Sequence, residues 1–194
     1  MRILSFIKDL NPLRRYPPFL QMLARSAEEF HLCHVDGKLE EKSIIFHNLK
    51  LPKMIHFSTL LLAPPTALKA FKICRKYGID LLYIFDSSYY ELTGLLTYAL
   101  SRTPFVFRFR TNEVELRVIQ RYNLLRRALA NFITKLAVTR AKRIICISHE
   151  LRDLVLGWGV DPSKVKIVYH GVNTDIFKPM NVEKPFPKVI LFIG

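Results

Sequence analysis

Short apolar runs alternate along the chain with longer amphipathic stretches. RILSFI, HLCHV, KSIIFHNL, DLLYIF, PFVFRF, RIICIS and KVKIVYH are the apolar runs, rich in leucine, β-branched and aromatic residues, and such runs read as strands. Between them lie PPFLQMLARSAEEF, the segment from Pro64 to Tyr77, YYELTGLLTYAL and HELRDLVLGW, which carry helix signals. Pro64 suits a first helical turn, Gly78 a stop, and Ser87 or Ser88 and Ser148 supply N-cap hydroxyls. In the helix from Pro64, the residues Leu68, Phe71 and Cys74 are predicted to share one face. The longest helical signal runs from Asn112 to about Arg140, with Val118, Tyr122, Leu125, Leu129, Phe132 and Leu136 in one stripe and Arg117, Arg121, Arg126 and Lys135 off it. One expectation packs that stripe on a sheet with the charges in water; the other lays the basic face on a membrane.

Strands separated by helices require crossovers, and crossovers produce a parallel sheet with helices on both faces. The predicted fold is therefore α/β, a doubly wound parallel sheet of Rossmann-like type. From Lys178 to Lys188 the sequence KPMNVEKPFPK loses periodicity and gains three prolines, which reads as an interdomain linker. The expected organisation is a domain over residues 1–178, then a linker and one further buried strand, KVILFIG, over residues 179–194.

With 194 residues, half of them apolar, the chain can bury one substantial core. The net charge of +14 is unevenly spread: Arg102 to Arg152 holds twelve Arg or Lys against three Glu. A basic patch of that kind suits an anionic membrane surface, a phosphorylated substrate or nucleic acid. No helix-turn-helix, RNP or zinc pattern accompanies it, so a nucleic-acid partner ranks last. Cys33, Cys74 and Cys146 are odd in number and widely spaced, which disfavours a disulfide framework and a zinc site and suggests a reducing, cytoplasmic setting. His31 and His34 lack acidic or cysteine partners in metal-ligand spacing, and no metal is expected. The N-terminus lacks a cleavage site, and LLLAPPTALKAF is too short and too broken by proline to span a bilayer.

Ligands of an open α/β sheet bind beyond the carboxyl ends of its strands, so the loops there hold the candidate residues. Arg14 and Arg15 follow the first strand, in a loop without glycine, and suit an anionic group through their side chains; solvated arginines are the competing reading. Asp86 follows the strand DLLYIF. Arg108 and Arg110, two apart at the end of PFVFRF, share a face and could hold a phosphate or carboxylate, or else pair with Glu113 or Glu115; Thr111 follows them. Ser148 is read first as a cap and second as a ligand, with His149 and Glu150 on the same helix N-terminus. His170, Gly171 and Asn173 close the set, with Gly171 expected to take an unusual backbone angle.

The segment from Arg140 to Pro179, RAKRIICISHELRDLVLGWGVDPSKVKIVYHGVNTDIFKP, resembles the end of the N-terminal domain of retaining glycosyltransferases of family 4, which have the two-domain GT-B fold. KYGIDLLYIFDSS and TPFVFRFRT are similar to two of that family's earlier strands. The resemblance implies transfer of a sugar from a nucleotide-sugar donor, with retention, to a glycan, lipid or small-molecule acceptor held by this domain. It implies no cofactor, the nucleotide sugar being a co-substrate bound mainly by a donor domain. VILFIG would be the first strand of that second domain, absent from this chain. Where the family often carries a histidine near the reacting sugar, this sequence has Arg110 or Thr111, so no catalytic residue is assigned. His170, Gly171, Val172 and Asn173 match the family's NGVD with two substitutions, which suggests a role in shaping an interdomain hinge. The other readings are a non-catalytic subunit completed by a separate donor-domain chain, and a basic nucleic-acid-binding module.

Overall fold

The computed structural model describes residues 1–10, 18–37, 42–49, 61–85, 88–119, 121, 123–171, 174, 178 and 179. Seven strands form a single sheet: β1 (Arg2–Leu10), β2 (Glu29–Gly37), β3 (Ile45–Asn48), β4 (Leu81–Phe85), β5 (Phe105–Phe109), β6 (Arg143–Cys146) and β7 (Val165–Ile167). Their order is β3-β2-β1-β4-β5-β6-β7, and every neighbouring pair is parallel. The helices are α1 (Pro18–Ser26), α2 (Ala63–Tyr77), α3 (Ser88–Ser101), α4 (Glu113–Ile119), α5 (Leu124–Arg140) and α6 (His149–Gly157). Chain order runs outward from β1 in one direction and from β4 in the other, so the β1/β4 boundary is the topological switch point. The predicted doubly wound parallel sheet is present. Residues 180–194, which contain the expected further strand, lie outside the described residues.

One face of the sheet, with Leu4, Phe6, Leu82, Ile84, Phe105, Phe107, Phe109 and Ile144, is covered by α2, α3, α5 and α6. The other face packs Ile3, Phe30, Leu32, Tyr83 and Phe85 against Ala24 of α1. On the first face the sheet supplies the bulk and the helices supply small residues. The buried positions of α2 are Ala63, Thr66, Ala67, Ala70 and Cys74, and those of α5 are Ala130, Ile133, Thr134, Ala137 and Val138. Gly94 of α3 allows the closest approach, since a Cβ there would lie 2.0 Å from Ile84 Cδ1.

This division of sizes overturns two expectations. In α2, Cys74 faces inward but Leu68 is exposed, because Ala67 and Ala70 hold the contact face. The segment from Asn112 is two helices, broken where Arg121 takes a left-handed φ of 53° and where Asn123 restarts the helix by accepting a hydrogen bond from Arg126 N. Most of its bulky stripe faces outward: Val118, Leu125, Leu129 and Phe132 are exposed, whereas Leu136 packs against the core and Tyr122 lies outside the described residues. Arg117, expected in water, is 1% exposed. Its guanidinium donates to Asn131 Oδ1 at 2.8 Å and Thr134 Oγ1 at 3.0 Å, and lies 3.8 Å from Glu91 Oε2. Thr134 Oγ1 in turn donates to Glu91 Oε2 at 2.8 Å, so one buried polar cluster fastens α4 to α3 and α5.

Candidate acceptor-binding edge

The carboxyl ends of β4 to β7 gather the candidate residues that the structure describes. Parallel register sets Phe85, Arg108, Ile145 and Lys166 in one row across these strands. Phe105, Phe107 and Phe109 point to the helix-covered face, so Arg108, between them, points to the other, where Tyr83 and Phe85 lie. Arg108 is buried, and its Nη2 is 3.4 Å from His170 Nδ1 in the segment after β7. Burial pushes the Tyr83 phenol above its ordinary range, opposed by the positive charge of Arg108, by a hydrogen bond with it, and by the charge of Arg110. Arg110 also sets its guanidinium carbon 5.2 Å from the centroid of Phe85. The two arginines therefore share a face, as their spacing predicts.

Arg108 and Arg110 are held differently. Arg108 is enclosed by its neighbours, whereas Arg110 is half-buried on an aromatic face at the strand's end. Of the two acidic residues named as alternative partners, Glu115 accepts from Asn112 Nδ2 at 3.1 Å and its own N–H donates to Asn112 Oδ1 at 3.3 Å, while the side chain of Glu113 lies outside the described residues. Thr111 lies exposed beside them.

The next strand end is built around a helix cap. Ser148 has extended backbone angles, and its Oγ accepts from Leu151 N at 3.2 Å, which satisfies a donor of the first turn of α6. The capping reading of Ser148 is thus realised. His149 opens α6 in an exposed position, its ring centroid 6.4 Å from that of Tyr169. His170 and Gly171 follow, both exposed. Gly171 departs from expectation: its φ is outside the left-handed region and a Cβ would meet nothing within 4 Å. The left-handed glycines are Gly78, at the end of α2, and Gly159, in the turn after α6. Arg14, Arg15, Asp86 and Asn173 lie outside the described residues.

Tyr83, Phe85 and Tyr169 adjoin the candidate residues Arg108, Arg110 and His149, a neighbourhood that sequence reasoning missed. The first two sit inside an apolar run whose pattern marks them as core; only the pairing of Phe85 with Arg108 reveals their role. His31 belongs elsewhere. It is buried near the amino ends of the strands, with Nδ1 2.9 Å from His47 Nε2 and Nε2 3.1 Å from Glu29 Oε2. Among the described residues no group of three or more His, Cys, Asp or Glu could hold a metal ion. Cys33, Cys74 and Cys146 are buried free thiols, and burial raises all three above the ordinary range.

The fold is shared with large two-domain enzymes. The chain superposes on sucrose-phosphate synthase from Thermosynechococcus elongatus with a TM-score of 0.71 and 14% identity, covering 92% of this chain and 50% of that one. Anabaena Alr3699/HepE, solved with UDP-glucose, gives a TM-score of 0.64 at 16% identity over 93% of this chain and 47% of that one. A UDP-GlcNAc 2-epimerase from Methanocaldococcus jannaschii gives 0.57 at 15% identity over 87% and 45%. The chain thus spans about half the length of these structures, as the Rossmann-like N-terminal half of a GT-B architecture does. No curated protein matches the sequence. Fold alone does not separate transferases from epimerases, but the model of Glycosyltransferase Family 4 matches residues 11–176, nearly the whole of the sheet and its helices. The chain belongs to glycosyltransferase family 4.

Proposed function

We propose that this chain is the acceptor-side domain of a nucleotide-sugar-dependent glycosyltransferase, and that its acceptor carries an anionic group. Arg108, fixed by its neighbours, and Arg110, on the face of Phe85, make the positive end of the site at the carboxyl edge of β5. Two guanidinium groups on one face at the end of a strand suit a phosphate or carboxylate, which a guanidinium binds through paired hydrogen bonds. This pairing of a buried and a half-buried arginine is the observation that carries the reading.

The donor is a nucleotide sugar, in line with the UDP-glucose bound by HepE. The structures that resemble this chain are about twice its length, so transfer is assigned to this domain together with a second Rossmann-like unit that holds the donor. Retention of configuration follows from the family resemblance and belongs to the same proposal. In this scheme the chain binds and orients the acceptor: Arg108 and Arg110 grip the anion, while His149, Tyr169 and His170 border it from the neighbouring strand ends. No proton transfer is assigned to these side chains.

Titration calorimetry with a hexose phosphate and with the corresponding neutral hexose tests this. The phosphate should bind more tightly by about tenfold to a hundredfold, the gain of one or two charge-assisted hydrogen bonds. Arg110→Ala should erase most of that difference. Equal affinities for the two sugars, or a preference untouched by Arg110→Ala, would overturn the proposal.

A further inference from the structure

We propose that the corner formed by α4 and α5 is a docking surface for an anionic lipid bilayer, with the bulky outer stripe of α5 entering the headgroup boundary. This goes beyond the glycosyl-transfer reading and does not depend on it. Helix α5 is apolar on two opposite faces: Ala130, Ile133, Thr134, Ala137 and Val138 are buried against the domain, while Leu124, Leu125, Leu129 and Phe132 are 74%, 81%, 51% and 64% exposed. A helix apolar on both sides is expected to have a second neighbour. Val118 and Ile119 extend the exposed apolar surface onto α4. Four bulky side chains along a 17-residue helix, about 25 Å long, exceed the scattered apolar residues usual on a surface.

Charge identifies the occupant. Between Glu115 and Glu150 the sequence has no acidic residue and eight basic ones, Arg117, Arg121, Arg126, Arg127, Lys135, Arg140, Lys142 and Arg143. Arg117 is spent on the buried Glu91; Lys135 and Arg140 are exposed on α5 to either side of the apolar stripe, and Arg121, Lys142 and Arg143 are exposed before and after the helix. A second copy meeting this face by two-fold symmetry would set one basic rim against another. An anionic bilayer offers negative headgroups to the rim and acyl chains to Leu125, Leu129 and Phe132. Topology adds a consequence. Because β5 and β6 are parallel, α5 must run back along the sheet, so Leu124 and Leu125 lie toward the carboxyl edge that holds Arg108 and Arg110. A membrane at this corner therefore lies beside the proposed acceptor site.

Co-sedimentation of the 194-residue chain with vesicles is the test. The chain should bind vesicles rich in phosphatidylglycerol, bind pure phosphatidylcholine at least tenfold more weakly, and release as salt is raised. The double variant Leu125→Glu, Phe132→Glu, with both changes on exposed positions, should keep the wild-type circular dichroism and lose at least tenfold in partitioning. A charge variant, Lys135→Gln with Arg140→Gln, should weaken binding to phosphatidylglycerol alone. Failure of the wild-type chain to bind phosphatidylglycerol vesicles, binding unchanged in the folded double variant, or dimerisation abolished by that variant would each overturn the proposal. So would displacement from the vesicles by stoichiometric duplex DNA of unrelated sequence.

Discussion

Glu91 and Arg117 are both fully enclosed, so neither can lose its partner and be rescued by water. Glu91→Ala should destabilise the chain by about 3–5 kcal/mol in urea denaturation, because an uncompensated guanidinium remains among α3, α4 and α5. Arg117→Met with Glu91→Leu, which removes both charges, should recover much of that loss. The histidine pair predicts a pH dependence. Burial, His31, Lys76 and His34 hold His47 down, from 6.5 to about 4. The folded state thus keeps His47 neutral, and the unfolded state takes up its proton first. Stability is full above about pH 6.5 and falls as pH drops from there toward 4, and His47→Gln should flatten that part of the stability profile. None of this was legible locally. Arg117 looks solvent-facing because its carboxylate stands on a different helix, and the role of His31 is set by a neighbouring strand.

Among elements, the strands and caps were the readable features. The inner strands β1, β2, β4 and β5, largely buried on both faces, leave continuous apolar runs, and Ser148 and Gly78 mark helix ends with chemistry that needs no tertiary context. Ser148→Ala should cost about 1 kcal/mol through the lost hydrogen bond to Leu151 N, read as a shift in the urea midpoint. The faces of α2 and α5 were not legible from bulky residues, because against this sheet's aromatic side chains both helices bury several small ones, Ala67 and Ala70 of α2 and Ala130 and Ala137 of α5. Gly94 is the extreme case. Gly94→Val should lower stability by about 1–3 kcal/mol in the same assay, since the added methyl groups collide with buried Ile84. The same packing turned the stripe of α5 outward, and the break before it was readable only from Asn123, a capping residue lost within an otherwise continuous helical pattern.

At the scale of the molecule, the order of the strands determines where chemistry can occur. Parallel strands point all their carboxyl ends one way, and ligands of an open α/β sheet bind beyond that edge. Arg108 and Arg110 were legible as candidates because they stand two apart at the end of a buried apolar run, which sets them on one face at the sheet's carboxyl edge. Tyr83 and Phe85 were not, since only strand pairing brings them beneath those arginines. The most direct test of the account is a backbone-amide NMR titration of the isotopically labelled chain with a hexose phosphate. The account predicts that the shifted amides cluster at Arg108 to Thr111, Ser148 to His149 and Tyr169 to Gly171. Shifts confined to the opposite edge around Glu29, His31 and His47, or a saturating ligand that leaves the arginine edge unmoved, would contradict it.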